Sequence, residues 1–424
     1  MSVAETAGGE QSRVETRSWK APIAFGVLGA VAFLVFGLTA PPGEDSTFRI
    51  STGTDFVQFE PLAVPSQLTG LVLGVVCLAI AAYAYLLVRR AERVPLWLSV
   101  LFGVAFVLAF LTWSVAGAQI SLTSLLQGAL ALSVPLIFGA MSGLLCERSG
   151  VINIAIEGQL LAGAFLSGVV ASLTTNIWAG LVAAPVAGLL VAYVLATFAV
   201  RYFVDQIIVG VVLNVLVIGL TNFLFSRLLT PSPDVWNSPG RFPSVKVPVL
   251  GDIPIVGPVL FDQTVIVYFM YAVLIVVHLA LFKSRWGLRV RAVGEHPQAA
   301  DTAGINVNRT RFRNVLLGGA VAGFGGAYFT LGLSGVFSRE MTAGQGFIAL
   351  AAMILGRWSP KGALFAALLF GFSNNLQSVL GIVGTPIPSE FMLMTPYVVT
   401  IVAVAGLVGR VRPPAADGKP YIKS

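Results

Sequence analysis

Apolar runs of near-constant length alternate with short polar intervals along almost the whole chain. They fall at about 21–40, 67–88, 95–115, 122–145, 177–200, 206–225, 264–282, 314–333, 362–381 and 391–409. Each is close to the roughly 20 residues that an α-helix needs to cross hydrocarbon. Two further apolar stretches are ambiguous. One follows Cys146, runs to about Leu173 and is interrupted by Gly150, Gly158 and Gly163; the other, 344–356, is short. The pattern predicts an all-α polytopic membrane protein of ten to twelve transmembrane helices, some of them broken or re-entrant. Twelve follows if both ambiguous stretches span, ten if neither does.

The polar intervals orient the chain. Arg89, Arg90 and Arg93 form one basic loop, Arg357 and Lys361 another, and Arg410, Arg412, Lys419 and Lys423 end the chain. The longest strongly basic interval is 283–313, with Lys283, Arg285, Arg289, Arg291, Arg309, Arg311 and Arg313 near span ends. Loop 41–66 is acidic, and 227–263 is long, rich in Pro and Gly and not strongly basic. The positive-inside rule places the basic loops and both termini in the cytoplasm and the other two loops outside. Segment 1–20 carries Glu5, Glu10 and Glu15, and the run after it exceeds a signal-peptide core, so 21–40 reads as an uncleaved first span. Cleavage after Ala40 is the alternative.

Composition agrees and narrows the chemistry. The chain of 424 residues is 56% hydrophobic and 11% charged, which excludes a soluble globule. Its formal charge of +7 comes from loops and tails, which is a topology signal and not a nucleic-acid surface. Two cysteines, Cys77 and Cys146, and two histidines support neither a disulfide framework nor a metal site. No phosphate-cradling GxxxxGK[ST], no HExxH and no Ser/His/Asp set occurs, so no catalytic residue is expected. His278, within a span, reads as a core histidine.

Polar groups inside spans are more informative. Glu157 lies four residues after Asn153, on one face if that stretch is helical. Gln206, Asn214 and Thr221 share a face of 206–225, and Ser373, Asn374, Asn375 and Gln377 cluster in 362–381. An ionised group at mid-membrane costs about 2.5–3.5 kcal/mol on insertion scales, so it faces a cavity, a partner or water. Two readings stay open for these groups: hydrogen bonds between helices, or a substrate pathway beside a broken helix. The basic loop also has two readings. It is either a topology signal or a docking element built on a short helix, Pro297 to Ala303, stopped by Gly304.

Three separated blocks carry a family resemblance. CERSGVINIAIEGQLLAGAF (146–165) closely resembles the signature of permease subunits from bacterial ABC importers of simple sugars, nucleosides and branched-chain amino acids. AVGEHPQAADTAGINV (292–307) is similar to the cytoplasmic coupling loop of that family, and TAGQGFIALAAMILGRWSPKGALFAALLFG (342–371) to a third block; DQIIVGVVLN (205–214) fits as well. The first two blocks together look most like the nucleoside-importer branch. The resemblance spans about 122–409.

That resemblance implies a division into a disordered cytoplasmic tail (1–20), extra N-terminal helices (21–118), a permease core (119–410) and a second cytoplasmic tail (411–424). It implies a multi-pass protein of the bacterial cytoplasmic membrane working with a cytoplasmic ABC ATPase, a second permease subunit, alike or different, and an extracytoplasmic substrate-binding lipoprotein. ATP and Mg would sit on the ATPase, with no cofactor bound by this chain and no nucleic acid involved. Gly294, Glu295, Pro297, Ala299, Ala300, Asp301, Ala303 and Gly304 would form the coupling element, the small residues permitting close approach and the two acids contacting the ATPase. Asn153 and Glu157 match family positions and would line the pathway or gate; Gln206, Asn214, Asn374 and Asn375 are added on polarity alone. Import of ribose-type sugars or branched-chain amino acids on the same scaffold remains an alternative. So does a secondary transporter with an inverted repeat, given a faint similarity between 153–163 and 346–356. A receptor or structural membrane protein is disfavoured by the polar clusters.

Overall fold

A computed structural model describes residues 18–51, 58–383, 394 and 412–423. Among these, ten helices are long and apolar enough to cross a membrane. They fall into two compact units, one within Met1–Phe48, Pro61–Ile120 and Val383–Ile387, the other within Arg49–Glu60, Ser121–Ile382 and Pro388–Ser424.

The first unit contains α1 (Lys20–Val31), prolonged by a π-turn over Ala32–Gly37, α2 (Ser66–Arg89) and α3 (Leu96–Ser114). Strands β1 (Asp45–Arg49), β2 (Leu62–Pro65) and β3 (Gln119–Ser121) form a small sheet in the order β2-β1-β3, with Asp45 opposite Pro65 in an antiparallel pair. Rings fill the space between the helices. Phe25 stacks on Phe102 at 4.4 Å, and Phe36 meets Phe106, Phe110 and Trp113 at 5.4–5.5 Å. The π-turn is admitted by Gly74, where a Cβ would lie 2.7 Å from the Phe33 backbone.

The second unit is built around α4 (Leu122–Glu147), which is buried along most of its length. Around it lie α5 (Ile156–Thr174), α6 (Ile177–Ala196), α7 (Gln206–Leu224) and the single turn α8 (Pro233–Trp236). Strands β4 (Ser244–Lys246) and β5 (Asp262–Thr264) pair antiparallel before α9 (Val265–Lys283). Then follow α10 (Arg285–Glu295), α11 (Pro297–Thr302), α12 (Val307–Ala327), α13 (Gln345–Leu355) and α14 (Pro360–Val383). Glycines set the packing. Gly188 of α6 meets Gly319 and Gly323 of α12 with backbone against backbone, and Gly163 of α5 meets the Gly323 carbonyl; no Cβ fits at these contacts. Small residues permit this approach in membranes, where apolar area gives no driving force between helices.

The two ambiguous stretches resolve differently. Helix α5 has 19 residues, enough to span, and its regular part begins only at Ile156. Helix α13 has 11 residues, about 16 Å of rise, which is half the hydrocarbon thickness. It lies on α4, where Gly139 faces Ala349 and Gly143 faces Met353. The final expected span, 391–409, lies outside the described residues except for Met394.

Candidate functional site

The chain reverses between α4 and α5, and most of the singled-out residues gather at this reversal. Helix α4 ends at Glu147, and Gly150 takes φ +89°, a region that L side chains rarely enter. The backbone then runs irregularly to Ala155. An irregular backbone within a membrane protein needs its polar groups satisfied, and α7 does this. Gln206 Oε1 accepts from Ile152 N (2.8 Å), Asn214 Nδ2 donates to Ile154 O (2.9 Å), and Asn214 Oδ1 accepts from Gly158 N (2.8 Å). Asn153 is fully buried and pairs with Gln159, Nδ2 donating to Oε1 at 3.0 Å and Gln159 Nε2 donating back at 3.3 Å. The expected shared helical face of Asn153 and Glu157 is not present, because Asn153 precedes the helix.

Glu157 occupies the first turn of α5 and reaches the start of α13. Its Oε1 accepts from Thr342 Oγ1 (2.6 Å) and Gly344 N (2.9 Å), and its Oε2 from Gly346 N (2.6 Å). One carboxylate therefore serves the positive ends of two helices, satisfying backbone donors that α13 leaves open. Gly346 is required here, since a Cβ would lie 2.5 Å from Glu157 Cα. Gln159 and Thr342 escaped the sequence reading. An amide two residues after Glu157 and a threonine 185 positions away give no local signal.

The basic loop folds into α10 and α11. Ser284 caps α10 by accepting from Gly287 N (3.0 Å). Gly287, Val290, Val293 and Gly294 face inward. Gly294 lies against the Arg148 carbonyl, closer than any Cβ permits, so α10 is bedded on the reversal itself. Arg148 donates through Nε (3.0 Å) and Nη2 (2.6 Å) to Trp358 O and lies over the Phe282 ring. Burial lowers its pKa, while Glu295 opposes that shift. Pro297 opens α11, and Gly304 ends the turn with φ +81°. Gln298, Ala299, Thr302, Ala303 and Gly304 are exposed.

Three residues of this loop have partners within the chain. Ala300 is buried against Val293 and Val307, so it presents no surface to a partner. Glu295 Oε2 accepts from Ala415 N at 3.2 Å, and Asp301 pairs with Lys423 at 3.5 Å. Both acids are thus engaged by the chain's own C-terminal segment.

That segment, 412–423, runs over the reversal as a strap. Ala416 N donates to Gly294 O (2.9 Å), and buried Arg311 of α12 donates to Lys419 O (2.6 Å) and Ala416 O (3.4 Å). Tyr421 covers the Val293, Ala300 and Val307 cluster. Asp417 is directed at Glu147, whose Oε2 accepts from Trp358 Nε1 (2.5 Å). Burial pushes the Asp417 pKa up to about 7; Arg311 opposes this. From the sequence, 411–424 is expected only as a cytoplasmic tail, with Lys419 and Lys423 as topology signals.

Asn374 and Asn375 are not part of this group. Asn375 Nδ2 donates to Leu125 O (2.7 Å), near the other end of α4 and about 30 Å of helix rise from Cys146. Asn374 beside it is half-buried on α14. His278 stacks on Phe282 at 5.8 Å. Among the described residues no cluster of three His, Cys, Asp or Glu could hold a metal ion.

The family described as branched-chain amino acid transport system / permease component matches residues 125–404. A guanosine ABC transporter permease from Bacillus subtilis is 40% identical over 71% of this chain and 97% of its own length. A nucleoside ABC transporter permease from Lactococcus lactis is 41% identical over 69% and 94%, and a putative glucose ABC transporter permease from Haloferax volcanii 35% identical over 60% and 76%. No solved structure matches. The chain, a multi-pass protein of the cytoplasmic membrane, belongs to the branched-chain amino acid transport system permease family.

Proposed function

We propose that this chain is the permease subunit of an ATP-driven nucleoside importer, providing part of the substrate pathway and the seat for a separate ATPase. The observation that carries this reading is the match to a guanosine permease across nearly all of that relative's length. The glucose-named relative, matched over a smaller share of both chains, supports a sugar as the second reading. In this proposal the exposed ridge Gln298, Ala299, Thr302, Ala303 and Gly304 enters a cleft of the ATPase on the cytoplasmic side. Movement of that ridge reaches the transport path through three contacts: Gly294 on Arg148, the reversal on α7, and Glu157 on α13. Asn153, Glu157, Gln206 and Asn214 hold that route and act on substrate through it. Asn374, at the far end of α4, is the better candidate for direct contact with substrate. A second permease subunit and an extracytoplasmic binding protein complete the importer.

The test is substrate-stimulated ATP hydrolysis after reconstitution with the ATPase, the partner permease and the binding protein, using nucleosides, pentoses and branched-chain amino acids. Stimulation by nucleosides, lost in Ala299→Trp and Ala303→Trp at normal yield, is the expected outcome. Stimulation by a pentose or an amino acid alone overturns the substrate, and failure of any ATPase to associate overturns the coupling role.

A further inference from the structure

A cavity of about 450 Å³ lies between α10, the turn 303–306 and the first two turns of α12. Its walls include Trp286, Arg289, Asn306, Arg309, Arg313 and Asn314, and no carboxylate. The size is that of an ordinary small-molecule site. Three arginines from two helices therefore line one space. None of the three makes an ion pair among the described residues. Half-buried Arg148 and buried Arg311, by contrast, are tied to carbonyl oxygens. The N-terminal end of α12 opens onto the same space and adds its partial positive charge. Like charges around a cavity repel, and an anion placed between them removes that cost. Phosphate is matched best, because guanidinium binds it with paired, charge-assisted hydrogen bonds.

The surroundings narrow the source of the phosphate. Arg309, Arg313 and Leu317 follow one another at four-residue spacing along α12, and Leu317 is 48% exposed. On α10, Leu288 is 61% exposed, and Trp286 stands just past the end of the span Val265–Lys283. Tryptophan at a span end marks the level of lipid headgroups. The cavity thus has a polar, cationic floor and an apolar exit beside it, the order of groups in a phospholipid. Soluble phosphate would use the floor and leave the exit unexplained. An acidic protein partner would be expected to meet a polar rim. We propose that this cavity binds the phosphate of an anionic glycerophospholipid, whose acyl chain runs along Leu317, and so fixes the coupling loop to the membrane surface.

The experiment uses the full chain in mild detergent and native mass spectrometry. Phosphatidylglycerol and phosphatidylcholine of equal chain length are the probes, with inorganic phosphate as a competitor. The expected result is preferential retention of phosphatidylglycerol by the wild type, reduced at least tenfold in Arg289→Gln/Arg309→Gln/Arg313→Gln and unchanged in the control Arg89→Gln/Arg90→Gln/Arg201→Gln. If the triple variant is not recovered folded, Arg313→Gln alone is expected to weaken retention severalfold. Equal retention of both lipids, or equal loss in test and control variants, overturns the proposal. Complete displacement by millimolar inorganic phosphate overturns the lipid source. Unchanged lipid retention with weakened ATPase association makes the cavity a protein-docking surface and overturns it too.

Discussion

Helices α1–α3 combine glycine contacts with a cluster of aromatic rings, whereas α4–α6 and α12 combine glycine contacts with buried amides and charges. In the first unit Phe25, Phe36, Phe102, Phe106, Phe110 and Trp113 pack on one another, while Gly70 and Gly74 of α2 lie against the backbone of Phe36 and Phe33. In the second, Gly163, Gly188, Gly319, Gly323 and Gly326 bring backbones into direct contact. The buried polar groups divide the same way. Among the described residues, the polar groups buried in the first unit are hydroxyls (Ser46, Ser66, Thr112, Ser114), while the second buries Glu147, Asn153, Glu157, Gln159, Gln206, Asn214, Arg311 and Asn314. Rings give contacts that adapt to small shifts. Glycine contacts and buried charges fix one geometry, and they let a displacement at one point be felt at the next. The family match, 125–404, leaves out α1–α3. Tight polar packing therefore goes with the transport machinery, and ring packing with the region outside the match.

The contrast breaks most sharply at a glycine. Gly323→Leu places a large side chain where α5, α6 and α12 leave no space, and overpacking costs about 3 kcal/mol or more. Loss of monodisperse protein on gel filtration is the expected outcome. Gly103→Leu in α3, where a Cβ meets nothing within 4 Å, should leave yield unchanged. Equal behaviour of the two variants would remove the basis of the comparison.

Phe36→Ala sharpens it from the other side. Deleting a ring that touches three others should cost on the order of 3 kcal/mol of local stability, read as a lower thermal unfolding midpoint. Substrate-stimulated ATP hydrolysis per folded molecule should stay at the wild-type level. A stimulated rate that falls with the midpoint would show that the first unit takes part in transport.

Glu157→Gln is smaller in effect and more selective. The amide keeps one acceptor for Gly344 N or Gly346 N but sets its own N–H groups against the other donor. A loss of about 1–3 kcal/mol is expected. Stimulated hydrolysis should fall more than basal hydrolysis, because α13 loses its register on α5. A proportional fall in both rates would reduce Glu157 to a stabilising cap.

These residues also mark how far the sequence could be read. Spans were legible because apolar length is a local property, and so were glycine pairs such as Gly319 and Gly323. The resemblance located the reversal and the loop. The helix start at Ile156 was not legible, because the pattern Asn153–Glu157 suits a helix and only Gly150 and the Gln206 and Asn214 contacts break it. The partners of Glu157, Glu295, Asp301 and Arg311 lie more than 100 residues away in the chain, and no periodicity encodes such pairings.

The strap offers the mildest test. Asp417 faces Glu147, with Arg311 and Cys146 also close by. Released from the protein, its carboxyl would titrate at the ordinary value of 3.8; docked, burial raises it to about 7. The docked form therefore binds the proton more tightly. Its contribution to docking is full below pH 3.8, declines as the pH rises and is lost through pH 7. A nitroxide label on Ile422→Cys, an exposed position, should accordingly be less mobile at pH 6 than at pH 8. Asp417→Asn, which stays neutral, should abolish the difference and hold the label in the immobile state throughout. If label mobility is the same at both pH values in the wild-type background, Asp417 does not govern the strap, and docking rests on its contacts with Gly294, Glu295, Asp301 and Arg311 and on Tyr421.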